Sequence, residues 1–140
     1  MKKLIKDLKK KGSLCLIEPT KEISKSYQQK SKNSLMAAKI LLDKKLVEES
    51  ISLSYYSMYN LLLSLLFLVG IKSENHSASI FLLKELFGLD NSSIIFAKKE
   101  RINKQYYPNL NLSLKDAEEM INISEKFISS LESFMDKLSF

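Results

Sequence analysis

Tryptophan is absent from this 140-residue chain, and cysteine, histidine and arginine occur once each, as Cys15, His76 and Arg101. A lone cysteine excludes a disulfide framework within one chain. With one histidine there is also no Cys/His set at metal-ligand spacing, so neither a metal nor a cofactor is expected. Cysteine this sparse fits a reducing compartment, and the cytoplasm is the expected location. Three glycines and two prolines are too few for a β-rich or loop-rich design, and ordinary for helices. No Gly-rich phosphate loop, GxSxG or HExxH is present, and the acidic residues form no pattern that nominates a carboxylate pair. The longest apolar run, Leu61 to Val69, is too short to cross a bilayer and follows three tyrosines and Asn60. Near the N-terminus, Leu4, Ile5 and Leu8 are spaced as a helix face, not as the core of a signal peptide. No membrane partner is expected.

What is present is a helical chain with enough apolar matter for one core. Hydrophobic residues make up 45 % of it, and its net charge is +6. The excess of lysine permits nucleic-acid or acidic partners, but the lysines are spread along the chain as a solvated surface would have them. Apolar spacing gives helices almost everywhere and no convincing strand. A short basic helix over 2–11 stops at Gly12, and a connector runs from Ser13 to Pro19. The second helix starts at the N-cap Thr20, with the stripe Ile23, Tyr27, Ser31, Leu35, Ala38 and Leu42. The third runs from Leu46 to Gly70, a C-cap residue. A polar loop over 71–76 leads to a short helix ending at Gly88. A fifth helix from Ser93 carries the apolar stripe Ile95, Ile102 and Tyr106 and is stopped by Pro108. The last opens at the capping box Ser113-x-x-Asp116, with the stripe Ala117, Ile121, Ser124, Ile128, Leu131, Met135 and Leu138. The expected fold is all-α, an up-and-down antiparallel bundle of four main and two short helices. It forms one domain over 1–140, with 1–19 as N-terminal helix and connector and 20–140 as bundle. Ser50, Ser54, Ser57 and Ser64 are small enough to let helices approach the third one closely.

Two stretches carry the chemistry. In Ser54-Tyr55-Tyr56-Ser57-Met58-Tyr59-Asn60, Tyr55 and Tyr59 share one helix face and Tyr56 and Asn60 the next. Buried, their polar tips need partners, either in a structural network or in a site. Arg101-Ile102-Asn103-Lys104-Gln105-Tyr106-Tyr107 holds the one arginine beside 21 lysines, which suggests that a planar, multidentate donor is wanted there. Its expected partner is an acid among Glu48, Glu49 and Glu100, or a phosphate. His76 precedes the fourth helix in the polar loop, as a capping or packing residue or as a general acid–base group.

In order and spacing, Ser54-Tyr55-Tyr56-x-Met58-Tyr59, Gly70-Ile71, His76-Ser77 and Arg101-x-x-x-Gln105-Tyr106-Tyr107 resemble a HEPN domain, in particular the stand-alone prokaryotic members. The resemblance spans nearly the whole chain. It implies an all-α bundle, a homodimer, and either metal-independent ribonuclease activity, partnership with a minimal nucleotidyltransferase in a toxin–antitoxin pair, or nucleotide binding. In the nuclease members the arginine is followed at short spacing by a histidine. Here those positions hold Tyr106, Tyr107 and Pro108, so the resemblance favours binding over cutting. The expected phosphate-binding set is Arg101, Lys104, Tyr56, Asn60 and Gln105, on RNA or a nucleotide. For a weak ribonuclease, the alternative, the catalytic candidates are Arg101, Tyr106, Tyr107 and His76. A structural dimeric interaction protein is the remaining reading.

Overall fold

The structure, a computed structural model, describes residues 2–12, 14–106 and 113–138. Its elements are α1 (Lys2–Lys10), β1 (Leu14–Leu16), α2 (Lys21–Asp43), α3 (Val47–Val69), β2 (Ile71–Ser73), α4 (His76–Glu85), α5 (Ser92–Tyr106) and α6 (Leu114–Asp136). The helix starts follow from local side-chain chemistry. Thr20 Oγ1 accepts from Ile23 N at 3.2 Å. Ser113 and Asp116 complete the reciprocal capping box, at 3.2 and 3.0 Å. The stop of α5 at Pro108 lies outside the described residues.

Helix α3 is the centre of the fold, packed against α2, α4, α5 and α6. It is long and apolar enough to cross a membrane, yet two thirds of its most apolar window is buried inside the bundle. That burial makes it a core helix. Its contact with α2 is a seam of small residues. Ser24, Ser31 and Ala38 of α2 recur every seven positions, as do Ser50, Ser57 and Ser64 of α3. The two sets meet in antiparallel order. Ser24 Oγ lies 2.9 Å from Ser64 Oγ, Ser31 Oγ donates to the Ser57 carbonyl at 2.6 Å, and Ser50 Oγ donates to the Ala38 carbonyl at 2.7 Å. A seven-residue repeat keeps one stripe facing its partner along two supercoiled helices. Across the other side of α3, Ser124 Oγ of α6 donates to the Ser54 carbonyl at 3.0 Å. Side chains this short bring backbone and hydroxyl within bonding distance while satisfying each of these buried donors.

The structure corrects the sequence reading in three places. The connector and the polar loop contain strands, paired antiparallel with Leu14 opposite Ser73, Cys15 opposite Lys72 and Leu16 opposite Ile71. At three residues each, they are too short to give a readable alternation. The pairing continues through Ile17 N to the Gly70 carbonyl at 2.8 Å, so the N-terminal segment is sewn onto the end of α3. Ile23 is 41 % exposed, because α2 turns the small residues Ser24, Ser31 and Ala38 inward instead. On α5 the buried stripe is Ile94 and Ala97, while Ile95 is 49 % exposed. A one-residue error in phase rotates a helix face by about 100°.

Candidate functional site

The tyrosines of α3, the start of α4 and the middle of α5 meet in one cluster. Asn75 caps α4 by accepting from Ala78 N at 2.9 Å, which places His76 as the first residue of that helix. The His76 ring stacks on Tyr59, with centroids 3.9 Å apart and planes at 14°. Its Nδ1 lies 2.8 Å from Tyr55 Oη. These contacts fix the ring. Tyr59 is anchored in turn, its Oη 3.1 Å from Ser79 Oγ, which donates to Ser73 Oγ at 2.7 Å. Strand β2 therefore has a part in positioning the histidine.

Arg101 enters from α5 on the same face as buried Ile94 and Ala97. Its guanidinium carbon stands 5.4 Å from the Tyr55 ring centroid and 5.2 Å from that of Tyr56, within cation–π range of both. Nη1 donates to Tyr56 Oη at 2.8 Å. Its Nε is buried and bonds to no described group. The partner of the guanidinium is thus a tyrosine rather than Glu48, Glu49 or Glu100. Ion pairs between described side chains join Lys39 to Glu125 and Lys72 to Glu74, away from this site. A second cation stands one helical turn before Arg101, where Lys98 Nζ donates to Ser77 Oγ at 2.6 Å.

Burial lowers the His76 pKa below the usual 6.5, and the nearby charges of Arg101 and Lys98 lower it further. Burial raises the pKa of Tyr55 and of Tyr59. At neutral pH the phenols of Tyr55 and Tyr59 and the imidazole are uncharged, beside the guanidinium of Arg101 and the ammonium of Lys98. Such a site suits an anion: a guanidinium whose Nε bonds to no described group, a lysine beside it, and a neutral imidazole able to donate or accept.

The same shift sets a pH dependence. The unfolded chain takes up the His76 proton at higher pH than the folded one, so folding opposes protonation. This contribution to stability is present in full above about pH 6.5 and is lost as pH falls through the lower folded-state value. The Tm of the wild type is expected to drop from about pH 7 to 5 more steeply than that of His76→Gln. Parallel thermal melts across that range check it, and equal slopes would refute it.

Of the sequence-derived site residues, the structure brings Arg101, Tyr56 and His76 together. Asn60 lies elsewhere, its Nδ2 donating to Ser34 Oγ of α2 at 3.3 Å. Lys104, Gln105 and Tyr106 close α5, and their side chains, with all of Tyr107, lie outside the described residues. The sequence named His76 and Arg101 as candidates of one site, but they sit on different segments and no local signal places them near each other. Sequence reasoning did not single out Lys98, three positions before Arg101, and took Ser77 only as part of the His76-Ser77 motif, with no role of its own.

No curated protein matches the chain. A family model described as the HEPN domain matches residues 24–134. That span takes in the bundle from α2 to α6 with every member of the tyrosine, histidine and arginine cluster, and the chain belongs to the HEPN domain family.

Proposed function

We propose that this chain is a binding module for the phosphate of RNA or a nucleotide, with Arg101 as its central donor. The observation that carries the reading is the state of that arginine. It is partly buried and laid on two tyrosine faces, with a buried Nε that bonds to no described group. A buried guanidinium without an anion is costly, and a phosphate would accept from it along two N–H bonds. Lys98 adds charge, and Tyr56 holds the fork in place.

The test is anisotropy of a labelled single-stranded RNA with wild type, Arg101→Lys and Arg101→Ala. Wild-type affinity is expected to fall steeply between about 50 and 200 mM salt. Arg101→Ala should weaken binding at least about tenfold, the worth of one charged hydrogen bond. Arg101→Lys should recover only part of it, because a point charge does not replace a fork. Equal binding by all three proteins would sink the reading.

The placement of His76 beside Arg101 favours one second reading, a weak metal-independent ribonuclease. The imidazole would move the proton of a ribose 2′-OH, and the guanidinium would steady the charge on phosphate. Cleavage in chelator with 2′,3′-cyclic ends, lost in His76→Gln, would establish it. In either reading the module works as a homodimer alongside a minimal nucleotidyltransferase, in a toxin–antitoxin arrangement. Exposed Met36 and Ile40, one turn apart on α2, offer an apolar surface for such contacts.

A further inference from the structure

Beside the arginine cluster, α4 and α5 enclose an open groove of about 290 Å3, lined by Ser77, Ile80, Phe81, Asn91, Ile95 and Lys98. Ile80, Phe81, Asn91 and Ile95 have no part in the anion site. Phe81 and Ile95 are 41 % and 49 % exposed and together present an apolar face to the groove. Ile80 is buried and forms the floor. Asn91 Nδ2 donates to the Ile80 carbonyl at 3.0 Å, and its Oδ1, the acceptor of the amide, takes no bond from a described group. The groove is therefore apolar and contains an aromatic ring, with one polar handle that accepts.

Lys98 joins this groove to the anion site. It lines the groove, donates to Ser77, and stands one turn before Arg101 on α5. An ammonium has three donors, and among the described residues Ser77 takes one of them. A molecule reaching from the groove past Lys98 to Arg101 would present a flat apolar ring at one end and an anion at the other. The volume is at the lower end of small-molecule sites, room for one ring with its sugar and too little for a peptide helix.

We infer that this groove is a nucleobase subsite, taking the base of the nucleotide whose phosphate lies on Arg101 and Lys98. The inference rests on the phosphate reading above and names its ligand more closely. The base stacks on Phe81 against Ile95, and an exocyclic amino group donates to Asn91 Oδ1. Adenine and cytosine carry such a group, whereas uracil carries a carbonyl in its place.

Calorimetric titration with AMP, UMP and ribose 5-phosphate separates the two ideas. AMP is expected to bind at least about tenfold tighter than ribose 5-phosphate, in line with one base stacked on an aromatic ring. It should also bind tighter than UMP. Phe81→Ala should bring AMP to the level of ribose 5-phosphate and leave ribose 5-phosphate unchanged. If AMP and ribose 5-phosphate bind alike and both need Arg101, the base subsite is wrong and the phosphate site stands. If none of the three binds and a labelled hexa-adenylate RNA does not bind either, both are wrong. Binding of that RNA alone, weakened by Phe81→Ala, would support the subsite with RNA as the source of the base. If Phe81→Ala alters the molecular mass in solution and no affinity, the groove is a contact between copies and the inference is overturned.

Discussion

Gly70→Ala is expected to destabilise the protein by about 3 kcal/mol or more, a size reached only through a named structural fault. Two terms add. Gly70 ends α3 with φ at +86°, where an L side chain costs about 1–2 kcal/mol. A Cβ there would also stand 2.5 Å from the Ile17 carbonyl oxygen. That oxygen belongs to backbone held in place, since Ile17 N donates to the Gly70 carbonyl at 2.8 Å. The strand pair cannot retreat without losing this bond. Gly88→Ala is the control, because Gly88 has φ +69° and a methyl group on its Cα would meet nothing within 4 Å. It should cost only the backbone term, about 1–2 kcal/mol. Urea unfolding of both variants by circular dichroism reads the difference, and equal midpoints would show that the close approach contributes nothing. Because β2 leads directly to Asn75 and His76, Gly70→Ala should also loosen the histidine.

Ser57→Leu is the second large effect, at about 3 kcal/mol. Ser57 is fully buried in the seam between α2 and α3, where Ser31 Oγ reaches its carbonyl at 2.6 Å. A branched four-carbon side chain there would push the helices apart over several layers, straining the bonds of the Ser24–Ser64 and Ala38–Ser50 layers. Ser57→Ala removes only a hydroxyl that donates to the Ser54 carbonyl at 2.6 Å, an acceptor also served by Ser124. Its cost should stay near 1 kcal/mol or below. Denaturation midpoints of the two variants decide the matter. A leucine variant as stable as the alanine one would mean that the seam is loosely packed.

Much of this architecture is written in local signals. Thr20, Ser113 with Asp116, and Gly70 mark helix ends through bonds and dihedrals that involve only a few neighbouring residues. The stripe of α6 reads cleanly, because Ala117, Ile121, Ser124, Ile128, Leu131 and Met135 all face one core. Helices whose inward face is small or mixed were harder to phase. On α2 the apolar residue Ile23 is displaced outward by neighbouring Ser24, which the seam needs for its size. On α5 three apolar residues stand in a row, Ile94, Ile95 and Phe96, and only packing selects Ile94 as the buried one.

The helical class, the order of the main helices, several of their ends and the resemblance to the family are legible in the chain alone, as is the rarity that singles out Arg101. The family rests on the resemblance of a few motifs in order and spacing, and the rest on periodicity, capping or residue rarity, all properties of short segments. What those residues do together came from packing. Packing paired two strands too short to announce themselves, sent Asn60 to Ser34 of α2, and set His76 and Arg101 against the same pair of tyrosines. A site is a set of distances between side chains far apart in the chain, and no local signal encodes them. Those distances depend on how closely the helices approach, and the short serines of α3 set that approach.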